Sequence, residues 1–321
     1  MYFDIFNGDA DGICALIQLR LHNPLPSQLI TGVKRDIQLL DNVTVNAGDQ
    51  LTVLDISLQK NRHSVDKFLS QGAHIFYVDH HQAGEIAQHP HLFTLIDTDP
   101  NISTSLLVNR YLHGKYPLWA IVAAFGDNLR HSAEQLATSL TINPAELQQL
   151  ENLGIYVNYN SYAAKLADLH FAPAQLYQEM ASFQSPLEFI TGNRFIFNQL
   201  ETGYYEDIGK AQTVKSFFAS PAVNVFMLPD SPWARRVNGV FGNQLANLHP
   251  NKANAILVPR EGGDYQVSLR APLANKVGAD VLCSRFVSGG GRQAAAGINH
   301  LPSDQVDAFI QQFEVFYATL K

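Results

Sequence analysis

Short apolar runs that stop at an acid recur through the first hundred residues. Tyr2–Phe6 leads into Asn7-Gly8-Asp9-Ala10-Asp11-Gly12, Leu51–Leu54 into Asp55, Ala73–Val78 into Asp79-His80-His81, and Leu92–Ile96 into Asp97-Thr98-Asp99. Each run is short and rich in β-branched and aromatic residues, the pattern of a strand buried on both faces. Gln28–Val33 can form a further strand. Between the runs, Ile13–Leu21 has helical apolar spacing, and Ser64–Gln71 reads as a helix stopped by Gly72. Strands alternating with helices predict βαβ units and a mostly parallel sheet. The acids then stand at the carboxyl edge, where open α/β sheets bind ligands.

Further along, Trp119–Phe125 is an apolar helical run ending in Gly126-Asp127-Asn128, with Arg130 just beyond. Asn143-Pro144-Ala145-Glu146 is a capping signature with proline at the first helical position. Helical patterns continue from Tyr162 to Phe183 and read as packing. The regularity fades after Ser185, so the expected organisation is an α/β domain over 1–185, a linker over 186–222 and a second α/β domain over 223–321. In the second domain, Val223–Leu228, Ala255–Val258 and Tyr265–Leu269 read as strands. Val237–Leu248 and Gln305–Leu320 read as helices, and Ala279–Phe286 as helical or mixed.

Composition narrows the function classes. The chain has 321 residues, 46% of them hydrophobic and 16% charged, enough for two globular domains. A formal net charge of −7 argues against a long track for polymeric nucleic acid, which binds by neutralising phosphates. It leaves room for a small anionic ligand, since a metal or a few arginines reverse the local field. The two cysteines, Cys14 and Cys283, are far apart in apolar contexts and read as reduced structural thiols. The start lacks the pattern of a signal peptide, and no apolar run reaches the roughly 20 residues of a membrane span. A soluble, cytoplasmic protein is expected.

The recurring strand-end acids carry the chemistry. Asp9 and Asp11 lie one residue apart in a loop whose glycines allow a tight turn, although Asp-x-Asp-Gly alone is also a common turn. Asp and His form a hard-oxygen and imidazole donor set suited to Mn, Mg, Zn or Fe. Asp9, Asp11, Asp55, His80 and Asp127 together make a two-metal site, able to activate a water and clamp phosphate oxygens. A second histidine beside them, His81, could act as acid or phosphate contact.

These four motifs, in this order, resemble the DHH phosphoesterases, named for the sequence found at Asp79-His80-His81. The resemblance covers essentially the whole chain. It implies that Asp9 and Asp55 hold a first metal, and that Asp11, Asp55, His80 and Asp127 hold a second, with Asp55 bridging. By the same resemblance His81 touches the scissile phosphate or leaving oxygen, and Asp79 orients the histidines. One departure stands out. Ile5 occupies the position where many small-substrate members carry a metal-binding histidine, and Asn7 is the only nearby polar side chain that could compensate. Weaker or differently selective binding of the first metal is therefore expected.

The second domain contributes Ser288-Gly289-Gly290-Gly291-Arg292-Gln293-Ala294-Ala295-Ala296-Gly297. A glycine-rich loop can bring backbone N–H groups close to an anion, or can simply be flexible; Arg292 favours the anion. The stretch resembles the Gly-Gly-Gly-His signature of DHH-associated C-terminal domains, with Arg292 replacing the histidine. Arg270 resembles the arginine that the family's preceding strand offers to the ligand. Trp233, Arg235 and Arg236 could stack on a nucleotide, but fit a helix start with exposed basic residues better. The remaining histidines show no metal-like spacing.

The resemblance implies a parallel-sheet catalytic domain and a smaller α/β substrate-binding domain, with the active site in the cleft between them. The implied function is a phosphodiesterase using two divalent ions, Mn²⁺ before Mg²⁺. It would cleave short linear oligonucleotides, above all 5′-phosphorylated dinucleotides such as pGpG or pApA. Arg270, Arg292, Ser288, Gly289, Gly290, Gly291 and Arg130 are the candidate substrate contacts. No long nucleic acid or membrane partner is expected, and the chain is read as a monomer or homodimer. A phosphatase acting on pAp, or a pyrophosphatase or polyphosphatase, is the alternative enzyme; a non-catalytic nucleotide sensor is the third reading.

Overall fold

The computed structural model describes residues 1–320, and the chain divides into two compact units after Thr202. The first unit is built on five strands: β1 (Tyr2–Phe6), β2 (Gln28–Ile30), β3 (Gln50–Leu54), β4 (His74–Asp79) and β5 (Leu92–Ile96). They pair in the order β2-β1-β3-β4-β5, all in parallel. The expected parallel sheet is therefore what these sequences form. Helix α1 (Ala10–His22) crosses from β1 to β2, and α2 (Leu58–Ser70) from β3 to β4.

Strand residues alternate between two cores. Phe3, Ile5, Leu51, Val53, Ile75 and Tyr77 bury one face of the sheet against Val65, Phe68 and Leu69 of α2. Each such side chain removed from water contributes about 1.5–3 kcal/mol. Ile5 is fully buried in this core and paired in register with Val53, so β1 spends that position on packing. The opposite face is covered from α1 onward by a helical layer: α3 (Thr104–Tyr111), α4 (Pro117–Gly126), α5 (Arg130–Ala137), α6 (Pro144–Ser161) and α7 (Pro173–Ala181). The signature at Asn143 forms a full capping box, its side chain accepting from Glu146 N at 2.9 Å while Glu146 reaches back to Asn143 N at 3.0 Å.

The stretch 186–222 carries two helices, α8 (Pro186–Gly192) and α9 (Arg194–Gln212), and the division between units falls inside α9. Ile196, Leu200, Tyr204, Ile208 and Ala211 are buried at helical spacing. The polar residues between them obscure that periodicity in the sequence.

The second unit is a mixed six-stranded sheet of β6 (Phe218–Ala219), β7 (Val223–Met227), β8 (Ala253–Pro259), β9 (Tyr265–Arg270), β10 (Gly289–Gly291) and β11 (Ala295–Leu301). Its order is β10-β11-β9-β8-β7-β6, with only β7 and β8 parallel, joined by the crossover helix α10 (Pro232–Leu248). Helices α11 (Ala279–Cys283) and α12 (Val306–Thr319) bury Leu282, Phe309, Phe313 and Tyr317 against Val225, Leu257 and Leu269. The glycine triplet is not an open loop but the edge strand β10, paired with Ile298, Gly297 and Ala296 of β11. Gly289 has a steric reason: a Cβ there would lie 1.8 Å from the Cys283 carbonyl oxygen.

Candidate metal centre

The carboxyl edge of the parallel sheet collects the strand-end acids. Asp9 caps α1, its Oδ1 accepting from the backbone N–H groups of Asp11 at 3.1 Å and Gly12 at 3.0 Å. Asp11, in the first turn, accepts from Thr104 N through Oδ2 and from Ser105 N through Oδ1, each at 2.8 Å. The start of α3 therefore holds that carboxylate. Asp55 follows β3 directly and has φ of 60°, a left-handed conformation uncommon for a residue with a Cβ. The Thr104 hydroxyl donates to its Oδ1 at 3.0 Å. Strained backbone of this kind clusters at ligand sites.

His80 and His81 are aimed by different partners. His80 Nδ1 lies 2.7 Å from the Ile102 carbonyl, which can only accept, so Nδ1 carries the proton and Nε2 keeps its lone pair. That Nε2 lies 3.3 Å from Asp55 Oδ1, 3.6 Å from Asp127 Oδ2 and 3.8 Å from Asp11 Oδ2. His81 Nδ1 is 2.7 Å from Asp79 Oδ1, and Asp79 is fully buried, so it orients the half-buried His81 ring. Asp127 caps the end of α4.

Burial on this scale disfavours charge. It holds Asp55 well above the usual carboxylate range, reinforced by the charges of Asp9 and Asp11. Burial raises Asp11 as well; His80 opposes the shift, while Asp127 and Asp9 add to it. Several acids kept together in a dry site call for cations. One donor atom each from Asp11, His80 and Asp127 lies within 4.8 Å of the other two, and Asp55, His80 and His81 form a second such trio. Asn7 Oδ1, buried in the same loop as Asp9 and Asp11, has no hydrogen-bond partner among the described residues. Hard oxygens with one preset imidazole lone pair fit a divalent ion such as Mn²⁺ or Mg²⁺.

Sequence reasoning missed Thr104 and Ser105, whose groups hold Asp11 and Asp55, and it missed Lys34. The Lys34 ammonium, from the loop after β2, bonds to Asp9 Oδ2 and to Asn158 Oδ1 at 3.1 Å, and lies 3.5 Å from Asp127 Oδ1. Burial alone would lower its pKa, but Asp9, Tyr162 and Asp127 outweigh that and raise it. With Oδ1 on backbone N–H groups and Oδ2 on Lys34, Asp9 belongs to neither metal-ligating trio. No signal in the sequence marks a lone lysine in a loop as part of such a centre.

None of the other expected residues named below belongs to either trio. Asp97 and Asp99 end β5 in exposed turns, where Asp97 accepts from Asp99 N and Asp99 from Asn101 N. Arg130 is exposed and committed to Glu134 at 3.2 Å and to Glu151. Arg236 is paired with Asp207 at 2.7 Å, Arg235 with Asp230 at 2.5 Å, and Trp233 lies under Lys210. In the second unit the Ser288 hydroxyl accepts from His300 N at 2.7 Å and holds the end of β11. Gly289, Gly290 and Gly291 form β10, and Arg292 N turns back to Ala295 O at 2.8 Å. Arg270 differs from these. Its hydrogen-bond partners are neutral: Asn243 Oδ1 at 2.7 Å, with Ser268 Oγ and the Leu269 and Gly239 carbonyls at 3.2 Å. They fix the guanidinium without cancelling its charge.

No protein-family model matches the chain, and no curated protein matches it. Solved structures do. A DHH-domain protein described as a member of the s1p family of ribosomal proteins superposes with a TM-score of 0.65 at 12% identity, over all of this chain and 87% of its own. Exonuclease RecJ bound to manganese gives 0.56 at 14% identity, over all of this chain and 90% of that one. The pGpG-specific phosphodiesterase PggH of Vibrio cholerae gives 0.51 at 13% identity, over 98% of this chain and 99% of that one. At these identities the likeness is one of fold, the DHH fold with its C-terminal domain.

Proposed function

We propose that this chain is a divalent-metal-dependent phosphoesterase of the DHH family, acting on short linear oligonucleotides and most readily on 5′-phosphorylated dinucleotides such as pGpG or pApA. The observation that carries the reading is the buried convergence of Asp11, Asp55, His80 and Asp127 on the carboxyl edge of the parallel sheet, around a histidine whose Nε2 lone pair faces three carboxylates. The fold shared with RecJ and with PggH supports it.

Asp11, Asp55, His80 and Asp127 would hold the ion, which in such centres acts as Lewis acid and activates a water. Thr104 and Ser105 keep the carboxylates in place, so little reorganisation accompanies the reaction. Asp79 accepts the Nδ1 proton of His81 and stabilises the imidazole in one orientation. Nε2 of His81 is then the group to meet a phosphate oxygen or the leaving oxygen, and it would act as a general acid only when the ring carries a second proton there. Arg270 offers an uncancelled guanidinium to a phosphate or a base edge, and Arg292 a second cationic contact.

The test is product analysis with Mn²⁺ on pGpG, pApA, a pentaribonucleotide, pAp and pyrophosphate. Rapid conversion of a dinucleotide to mononucleotides, with the pentamer spared, is expected. Turnover of pAp or pyrophosphate alone would leave the metal centre standing and refute the substrate.

A further inference from the structure

The loop after β2 reaches into the metal centre. Lys34 N donates to the Ser161 carbonyl at 2.9 Å, and Val33 N to Asp36 Oδ2 at 3.0 Å, so the backbone leading into the lysine's Cα is held. Gly8 allows this approach: a Cβ there would lie 2.1 Å from the Gly32 carbonyl oxygen. The side chain then runs inward, 21% exposed, past the Tyr162 ring at 5.5 Å. Its ammonium ends among Asp9 Oδ2, Asn158 Oδ1 and Asp127 Oδ1.

An ammonium has three donors and one charge, and its unperturbed pKa near 10.4 keeps it charged at neutral pH. It meets three oxygens on three separate elements, the arrangement a hard cation would ask of them. Three of the roughly four acceptor positions of the Asp9 carboxylate are taken, and position 5 is the buried Ile5. We propose that the ammonium of Lys34 takes the place of the first metal ion, so that the centre works with one divalent ion on Asp11, Asp55, His80 and Asp127 and one covalently tethered cation on Asp9 and Asp127. This rests on the metal-centre reading above.

Charge balance agrees. Asp9, Asp11, Asp55 and Asp127 are four acids in one buried site. A divalent ion and an ammonium leave them one charge short of neutral.

The test is the metal stoichiometry of the full chain. The protein is equilibrated with excess Mn²⁺, freed of unbound ion, and analysed for manganese by mass spectrometry and for coupling between ions by electron paramagnetic resonance. One ion per chain with the spectrum of an isolated Mn²⁺ is expected. Two ions with exchange coupling would overturn the proposal and leave the metal centre intact; no bound ion would overturn both. Lys34→Ala should open the position and admit a second, coupled ion, and a variant that still binds one would also count against the lysine's role. Asp9→Asn keeps an N-cap able to accept the two N–H groups. It should leave the stoichiometry at one, whereas loss of an ion would identify Asp9 as a metal ligand.

Discussion

Thr104 is the residue through which the reasoning can be tested most sharply. It is fully buried, donates its hydroxyl to Asp55 Oδ1 at 3.0 Å, and gives its backbone N–H to Asp11. Thr104→Val keeps the β-branched shape and the N–H and removes only the hydroxyl. A hydrogen bond to a charged group is worth about 1.5–3 kcal/mol. It favours the ionised Asp55, the form that binds metal, against the burial that favours the protonated one. At about 1.4 kcal/mol per tenfold, its loss should weaken Mn²⁺ binding roughly 10- to 150-fold at neutral pH. Titration calorimetry on the two proteins measures this directly, and Thr104→Ser, which restores the donor, should recover most of the affinity. A Thr104→Val protein that binds Mn²⁺ within about threefold of the parent would refute the role assigned to the hydroxyl.

Three further outcomes follow from the same geometry. Asp55 and Asp11 have folded pKa values raised above their ordinary 3.8, so the folded protein holds protons that the unfolded chain releases. The stability from this is complete below 3.8 and is lost as pH rises through the raised values. Metal-free protein should therefore melt at lower temperature at pH 8 than at pH 5.5, and the Mn²⁺-induced rise should be larger at pH 8; a rise independent of pH would contradict the shifts. Asp4 is fully buried in a bidentate pair with Arg20, 11% exposed, with Ser27 and Thr52 joining it, so Asp4→Ala should cost about 3–5 kcal/mol in urea unfolding. Replacing both partners, Asp4→Leu with Arg20→Met, should recover most of that loss. Arg270→Ala should raise KM for a dinucleotide about tenfold or more while leaving Mn²⁺ affinity unchanged, and an unaltered KM would remove Arg270 from substrate binding.

The sheet and its acidic edge were readable because apolar runs such as Val53-Leu54 and Tyr77-Val78 have few ways to be buried except as strands between two layers. Asp79-His80-His81 and the acids at 9, 11, 55 and 127 could be anticipated because each follows such a run or an apolar helix. The long helix α9 was harder to see, since its buried positions are separated by polar residues and two glycines, Gly203 and Gly209. The glycine triplet reads as a loop because glycine has poor intrinsic strand propensity; steric demand from Cys283 and pairing with β11 decide otherwise. Arg130 stands close in sequence to Asp127 yet points to Glu134 and Glu151, a choice of local charges that spacing does not reveal. Lys34 lies 25 residues from Asp9 in a loop of no apparent pattern, and only the tertiary approach of that loop to Gly8 joins the two.

The ammonium held between Asp9 and Asp127 also changes how the protein would answer to scarcity. A centre that must capture two free ions loses occupancy with the square of the ion concentration when both sites are far from saturated. One that carries half of its cations on its own chain loses occupancy in simple proportion. A tenfold fall in available manganese would then cut the assembled fraction about tenfold instead of about a hundredfold. Under metal limitation this chain would keep working in conditions that silence its two-ion counterparts.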